Sequence, residues 1–322
     1  MLLAVEPALW DSLTQYLING LTFGALIALI ALGYTMVYGI VELINFAHGD
    51  LFMLGSFANI SLLAALGFGG LGFTATMTDA SSFLIACALI GCAILSVVFC
   101  AGLNFAVEYT VYRPLRNAPK LAPLVSAIGV SFIFMNAGLF WGGPQDVNFP
   151  DLVSNGNLLG ADAGIRITYK DVLIIAVTVP LMLALTIFVK VTRLGKAMRA
   201  TAQNPTAASL MGIDTNFVIS ATFVIGGALA GAASLIYAVS VNTISYQMGF
   251  QNGLYAFTAA VLGGIGRIPG AVLGGLIIGL VRSFGSAYVG EMWVNALVFG
   301  ILIIILIFRP TGLLGTPVRE KV

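Results

Sequence analysis

Nine long apolar runs, almost free of charged side chains, follow one another along this chain. A helix that crosses a bilayer needs about 20 mainly apolar residues, because its backbone must form hydrogen bonds within its own segment. By that length, spanning helices are predicted at 12–38, 44–66, 83–107, 121–140, 171–190, 217–237, 252–266, 270–289 and 292–308. The seventh run is too short to cross alone as a straight helix. The pattern predicts an all-α fold, a polytopic membrane helix bundle of about eight to ten transmembrane helices, in a single domain of residues 1–322.

The composition excludes a soluble globule. Only 8% of the residues are charged and 59% are hydrophobic, whereas a soluble domain carries about 25% charged residues. The net charge is +1, and no dense basic run could follow a phosphate backbone. We therefore expect a protein in contact with the lipid bilayer and without a nucleic-acid partner.

The basic residues are distributed unequally between the two sides of the predicted bundle. If the N-terminus lies outside, then Arg166, Lys170 and Arg282 lie outside as well. This orientation places eleven others in cytoplasmic connections: Arg113, Arg116, Lys120, Lys190, Arg193, Lys196, Arg199, Arg267, Arg309, Arg319 and Lys321. Cytoplasmic loops carry such an excess, so we predict an outside N-terminus and a cytoplasmic C-terminus. The first eleven residues contain no Lys or Arg, so a cleaved signal peptide is not expected.

Glycine pairs one helical turn apart predict close helix contacts. They are Gly20 and Gly24, Gly227 and Gly231, Gly270 and Gly274, and Gly275 and Gly279. Small residues at this spacing let two helix backbones approach without side chains between them. Among 38 glycines some pairs arise by chance, and the others indicate a compact bundle.

Catalytic and metal-binding motifs are missing from the sequence. There is no GxxxxGK[ST] phosphate loop, GxSxG elbow or HExxH pair, and a single His precludes any scheme that needs two. Cys87, Cys92 and Cys100 lie in one apolar run, at spacings that a straight helix cannot bridge, so we interpret them as packing residues. We expect no enzyme activity, metal or cofactor in this chain.

One polar segment, residues 42–50 (ELINFAHGD), interrupts the first two apolar runs. If this segment is an interfacial turn, Asn45 and Asp50 would cap helix ends and His48 would donate a hydrogen bond to a neighbouring carbonyl oxygen. As a discontinuous helix, the same Asn45, His48 and Asp50 would line the translocation path or its inner gate. Both interpretations remain open from the sequence.

A second break, residues 262–270 (LGGIGRIPG), follows the short seventh run. Interrupted segments in corresponding places of two halves indicate a transporter's site. Asn-Gly-Leu occurs at 19–21 and again at 252–254, which leaves an internal repeat open. The other spans contain almost no ionisable groups, and this argues against an ion-coupled secondary transporter.

Two long connections differ in character. Residues 190–216 are basic and rich in helix-forming Ala and Met, and Asn204-Pro205 predicts the end of one short helix and the start of another. Gly212 is expected to end the second. This cytoplasmic segment is either an Ala-faced surface that docks a partner groove or an ordinary connecting loop. Residues 141–171 contain Gly, Pro, Asp and Asn and predict an irregular external loop.

Four separated segments carry a family resemblance. They are GYTMVYGIVELINFAHGD at 33–50, RLGKAMRATAQNPTAASLMGI at 193–213, FTAAVLGGIGRIPGAVLGGLIIGLV at 257–281 and LIFRPTGLLG at 306–315. Together they resemble the LivH-type permease subunit of bacterial high-affinity branched-chain amino acid ABC importers, over most of the chain. The external loop matches least well.

The resemblance implies a non-catalytic inner-membrane permease for Leu, Ile and Val that works by alternating access. It implies a second homologous permease subunit, two cytoplasmic ABC ATPases that bind the ATP, and a periplasmic amino-acid-binding protein. Permeases for urea, amides or other amino acids share these motifs and are the alternative. The resemblance also assigns ATPase coupling to the loop within 190–216, with these positions carried over: Gly195, Ala202, Asn204, Ala207, Ala208 and Gly212.

Overall fold

The computed structural model describes residues 5–72, 81–116, 118–119, 121–160 and 164–315. Lys120, Arg319 and Lys321 of the predicted cytoplasmic set lie outside the described residues. Within them the helices are α1 (Val5–Val41), α2 (Ala47–Ala65), α3 (Ser82–Val107), α4 (Leu121–Gly142), α5 (Tyr169–Val191), α6 (Arg193–Gln203), α7 (Pro205–Leu210), α8 (Thr215–Val241), α9 (Met248–Gly263), α10 (Ile268–Tyr288) and α11 (Glu291–Phe308). A π-helical turn, Glu108–Tyr112, extends α3, and two short strands are β1 (Val147–Asn148) and β2 (Thr243–Ile244).

The predicted polytopic helical bundle is confirmed. Each of the nine predicted runs coincides with a helix, and seven of these helices are long and apolar enough to cross a membrane. The other two are α2, with 19 residues and the polar side chains of 42–50 at its start, and α9, with 16 residues. The length of its apolar run predicted the shortness of α9, whereas α2 is long enough and differs by the polar side chains at its start.

The core lies around α1, whose buried residues run without interruption from Leu26 to Leu32. A helix that is apolar and buried all round belongs at the centre of a bundle. Outer helices α3, α4 and α11 instead expose large apolar side chains, such as Phe83, Phe140 and Phe308. Such surfaces suit lipid or another membrane subunit.

All four predicted glycine pairs lie at close helix contacts. A Cβ at Gly24 of α1 would lie 2.8 Å from Leu276 Cα of α10, and one at Gly227 of α8 would lie 2.8 Å from Asn104 Cβ of α3. Real Cβ atoms do not approach other atoms this closely, so a side chain at either position would push two helices apart.

The helices α2 and α9 both begin inside the bundle, away from its ends. His48, at the start of α2, packs against Tyr34, seven residues before α1 ends at Val41. At 1.5 Å per residue this is about 10 Å from that end. The connection 42–46 therefore folds back along α1. Gly253, in the first turns of α9, lies at the same level, because a Cβ there would be 3.1 Å from the Tyr34 hydroxyl oxygen.

The described basic residues separate between the two ends of the bundle. Arg199 lines a small cavity with Gly39 near the end of α1, and Arg116 lines another with Val41. At the opposite end, the backbone amide of Arg166 donates to the Gln15 side chain near the start of α1. The grouping follows the predicted division between cytoplasmic and outside residues.

The predicted external loop, residues 141–171, is joined to the end of α8. Strand β1 pairs with β2 in an antiparallel register, Val147 opposite Ile244. Lys170, which is buried, forms an ion pair of 2.7 Å with Asp151 and donates a hydrogen bond to Asn242. This predicted irregular segment is thus held at both its beginning and its end.

Candidate functional site

Asn45 joins the fold-back segment, residues 42–46, to α3 and α8. Its side chain is buried, and its Nδ2 donates to Asn104 Oδ1 of α3 at 3.1 Å. Asn104 Nδ2 in turn donates to the carbonyl oxygen of Phe223 in α8 at 2.7 Å. Asn45 does not cap α2, because the residue at the N-cap is Phe46, without a side-chain cap bond.

His48 packs the start of α2 against α1. Its ring lies edge-on to the Tyr34 ring, with 4.8 Å between centroids and an interplanar angle of 70°. Gly33 leaves room for this ring, since a Cβ there would overlap the imidazole. The side chain is buried, so His48 makes a close interhelical contact.

Asp50 lies in the first turn of α2, where the helix dipole favours a negative charge. It is buried at 1% exposure. Its Oδ2 accepts a hydrogen bond from Ser131 of α4. Its Oδ1 has no hydrogen-bond partner among the described residues and faces α9, where a Cβ at Gly249 would lie 2.8 Å away.

A cavity of about 220 Å³ opens beside these residues, between α4 and α9. It is lined by Tyr34, Phe46, Ile128, Ser131, Phe132, Met135, Gly249, Phe250, Gly253, Leu254 and Phe257. Asn45, His48 and Asp50 lie one layer behind this wall, while their contacts Tyr34, Ser131 and Gly249 form part of it. A role of Asn45, His48 and Asp50 in translocation stays a prediction.

A second, wider cavity of about 640 Å³ continues from the first along α4, α9 and α11. The two share Phe132, Met135, Phe250 and Leu254, and the wider one adds Gln247, Gln251, Asn295 and others. Sequence reasoning missed these residues, because single apolar and amide side chains on three helices form no motif. Only the packing of the helices brings them together.

The predicted division of residues 190–216 into two helices is confirmed. The Thr192 hydroxyl accepts from the Gly195 amide at 3.0 Å and caps α6, and Asn204 Oδ1 accepts from the Ala207 amide at 3.0 Å and caps α7. Pro205 is the first residue of α7. Gly212, with φ of +82°, follows its end as predicted.

The six predicted coupling residues do not share one surface. Gly195 and Ala208 are buried, and a Cβ at Gly195 would lie 2.5 Å from the Phe188 carbonyl oxygen of α5. Ala202 lines a small cavity that faces α1. The exposed ones are Asn204, Ala207 and Gly212. Their function in coupling stays a prediction.

Two large apolar residues that sequence reasoning did not single out protrude beside them. Leu210 and Met211 are 83% and 82% exposed at the end of α7. Exposed apolar side chains at the tip of a basic loop are suited to a partner surface. The sequence shows these two residues as an apolar pair directly before Gly212, and this pair could have indicated an exposed apolar tip.

A buried charge cluster connects α3 with the beginning of α8. Glu108, in the π-helical turn, accepts hydrogen bonds from Arg116 and from the Ser220 hydroxyl, the latter at 2.6 Å. Arg116 also donates to Asn216 Oδ1 at 2.5 Å. Because α8 follows α7 directly, this cluster lies next to the predicted coupling segment.

Comparison with known proteins covers nearly the whole described bundle. Residues 16–307 match the family described as branched-chain amino acid transport system, permease component. The chain belongs to this permease family. The match includes the cavities, the fold-back segment and α6 with α7.

Individual permeases resemble the chain over almost their full length. The high-affinity branched-chain amino acid transport system permease protein BraD of Pseudomonas aeruginosa is 42% identical, over 96% of this chain and 97% of its own. The permease protein LivH of Escherichia coli is also 42% identical over the same shares. The D-allose transport system permease protein AlsC of Escherichia coli is 27% identical over 59% of this chain. No solved structure matches the chain.

Proposed function

We propose that this chain is the transmembrane permease subunit of an ATP-driven importer for leucine, isoleucine and valine in a bacterial inner membrane. The 42% identity to BraD and LivH, over 96% of the chain, supports this function most strongly. It favours branched-chain amino acids over urea, amides or other substrates. The chain forms half of the translocation path and works by alternating access.

The proposed assembly contains a second homologous permease, two cytoplasmic ABC ATPases and a periplasmic amino-acid-binding protein. The apolar cavities between α4, α9 and α11 support a path that is completed by the second permease. The ATPases bind the ATP, and this chain carries no cofactor of its own. Selectivity resides chiefly in the binding protein, because the path is mostly apolar.

The proposed coupling begins at α6 and α7. Arg199 Nη1 donates to the carbonyl oxygens of Val189 and Lys190, at 2.8 and 3.1 Å, so α6 is joined to the end of α5. Asn204 ends α6 and caps α7, so the two short helices follow each other directly. ATP binding closes the ATPases, shifts these helices and favours one of two access states of the permease pair.

The proposed orientation places the N-terminus outside and the C-terminus in the cytoplasm. The end of the bundle that holds Lys190, Arg193, Lys196 and Arg199 is then cytoplasmic, as the positive-inside rule requires. The external loop with its β1–β2 pair faces the periplasm, where it is accessible to the binding protein.

Co-purification and transport together test the proposal. The tagged chain, extracted gently from its native membrane, is expected to carry a second permease and two ATPases. The reconstituted assembly with its binding protein is expected to take up leucine only with ATP. Leucine uptake by the purified chain alone on an ion gradient would refute the proposal. Uptake of urea but not of leucine would show that the substrate is urea and not a branched-chain amino acid.

A further inference from the structure

Helix α9 presents two different kinds of side chain to the wider of the two cavities. Gln247, at its N-cap, is followed at intervals of four residues by Gln251 and Tyr255, so the three lie one above another on the helix. Phe250 and Leu254 form a second, apolar line beside them at the same interval. All five residues line the cavity. The wall that α9 contributes is therefore polar along one side and apolar along the other.

The neighbouring helices continue this division. Asn295 of α11 lines the cavity, and its Oδ1 accepts a hydrogen bond from the Tyr255 hydroxyl at 2.5 Å. The Gln251 side chain lies next to the same hydroxyl. The remaining lining residues are Phe132 and Met135 of α4, Phe299 of α11 and Tyr246 before α9. A polar network thus lies where α9 meets α11, and apolar side chains lie where α9 meets α4.

The amides of this network lie at membrane depth. Asn295 is 13 residues, about 20 Å, before the end of α11 at Phe308, and Gln251 is 12 residues, about 18 Å, before the end of α9. Both helices end on the same side of the bundle, since the Leu314 amide after α11 donates to the Gly263 carbonyl oxygen at 3.0 Å. In a hydrocarbon core about 30 Å thick, exposed polar side chains at this level indicate a substrate path, because lipid offers them no hydrogen-bond partner.

The cavity suits a small zwitterion in size and charge. Its volume of about 640 Å³ falls within the roughly 300–1,000 Å³ of small-molecule sites. None of the described residues that line it is charged. Arg282, whose guanidinium carbon lies 5.4 Å from the Tyr255 ring centroid, is paired with Glu291 at 3.5 Å, so these two charges offset each other. A simple ion would therefore find no counter-charge, whereas a ligand with one ammonium and one carboxylate group carries no net charge.

We propose that the wide cavity holds an amino acid with an aliphatic side chain during its passage. The amide nitrogens of Gln251 and Asn295 donate to the carboxylate, and the amide oxygens of Gln247 and Gln251 accept from the ammonium group. Phe132 and Leu254 contact the aliphatic side chain. The inference rests on the proposed function and adds to it the residues that hold each part of the substrate. Urea has no group for the apolar side of this site.

Photo-cross-linking of the permease–ATPase complex in nanodiscs tests the site. The probe is photo-leucine, an amino acid with a diazirine in its aliphatic side chain, at millimolar concentration and without the binding protein. We expect it to label peptides that contain residues 132–135 and 250–254, and we expect excess leucine to suppress this labelling. Three competitors are expected to need about tenfold higher concentration or more, because 4-methylpentanoate and 3-methylbutylamine each lack one charged group and glycine lacks the side chain.

Substitutions on the polar side assign the amides. The double variant Gln251→Leu with Asn295→Leu is expected to lower the leucine-suppressible labelling about tenfold or more, because both amides are lost. Asn136→Leu is the matched control, since the Asn136 amide is exposed, lines neither cavity and donates to the Phe132 carbonyl oxygen within α4. This control should label like the unsubstituted complex. If the double variant fails to assemble, the competitor series on the unsubstituted complex decides.

Three results would overturn the site: labelling that excess leucine does not suppress, equal suppression by leucine and 4-methylpentanoate, or unchanged labelling in the double variant. Leucine uptake by the reconstituted importer with its binding protein is measured in parallel. An importer that takes up leucine without suppressible labelling refutes the site alone. A complex that does not take up leucine refutes the proposed function.

Discussion

Gly49 of α2 and Gly253 of α9 touch through their backbones, because a Cβ at Gly49 would lie 2.7 Å from Gly253 Cα. This contact brings together two helices that both begin inside the bundle. Helix α9, with 16 residues, is too short to cross a bilayer alone as a straight rod, and α2 carries the buried polar side chains of His48 and Asp50 in its first turn. The contact therefore positions the cavity beside the start of α9, with Asp50 one layer behind its wall.

The first prediction concerns this contact. Gly253→Ala is expected to reduce stability by about 1–3 kcal/mol, because the added methyl group overpacks α2 against α9. Gly129→Ala is the control, since a Cβ there meets no atom within 4 Å. Thermal unfolding of the purified chain in detergent, followed by size-exclusion chromatography, measures both. Equal unfolding temperatures would contradict the close packing.

The second prediction concerns the pair of Glu108 and Arg116. Glu108 is fully buried, so Arg116→Met leaves an uncompensated buried charge, which costs about 3–5 kcal/mol. The double variant Glu108→Gln with Arg116→Met is expected to recover much of the loss. A double-mutant cycle on the same unfolding measurement gives the coupling energy. Additive effects would show that the two side chains act separately.

The third prediction concerns the apolar tip of α7. The double variant Leu210→Asp with Met211→Asp is expected to insert and fold normally, since both side chains are more than 80% exposed, yet to lose co-purifying ATPase. Leu159→Asp, at a half-exposed leucine of the external loop, is the control and should retain ATPase. Ala208→Glu, in contrast, should lower expression, because Ala208 is buried. Full ATPase recovery in the double variant would place docking elsewhere.

The fourth prediction concerns the clamp on the external loop. Lys170→Met removes the ion pair to Asp151 and the bond to Asn242, so the loop should open more often. Limited proteolysis is then expected to cleave faster between residues 150 and 160. Arg282→Met removes a basic residue that pairs with Glu291 instead and should leave cleavage unchanged. Identical digestion of Lys170→Met and the unsubstituted chain would show that the other contacts, such as the β1–β2 pairing and the Gln15–Arg166 bond, hold the loop without Lys170.

The fifth prediction concerns orientation. Cysteines at two exposed positions, Ser154→Cys in the external loop and Lys196→Cys in α6, are expected to differ in reaction with a membrane-impermeant maleimide. In spheroplasts only Ser154→Cys should react, and after lysis both should. The reverse pattern would invert the proposed topology.

Much of the bundle follows from local sequence properties. Nine apolar runs predicted nine helices, because hydrocarbon requires the backbone to pair within each segment. The end of α6 and both ends of α7 were also predictable, since Asn204, Pro205 and Gly212 act on neighbouring backbone groups. Glycine spacing likewise indicated close helix contacts, one of which the structure places between α1 and α10.

The sequence by itself therefore determined that this is a multi-pass helical membrane protein with a polar break and a two-helix loop, since these properties depend on neighbours along the chain. Only the tertiary structure decided that the polar break at 42–50 lies inside the bundle and which residues contact it. Asp50, Ser131 and Gly249 are far apart in sequence and meet because α2 and α9 both start within the bundle. Helix packing also decided that Gly195 and Ala208 are buried, whereas the side chains of Leu210 and Met211 are exposed. Burial depends on how the helices assemble, which the residues around one position do not determine.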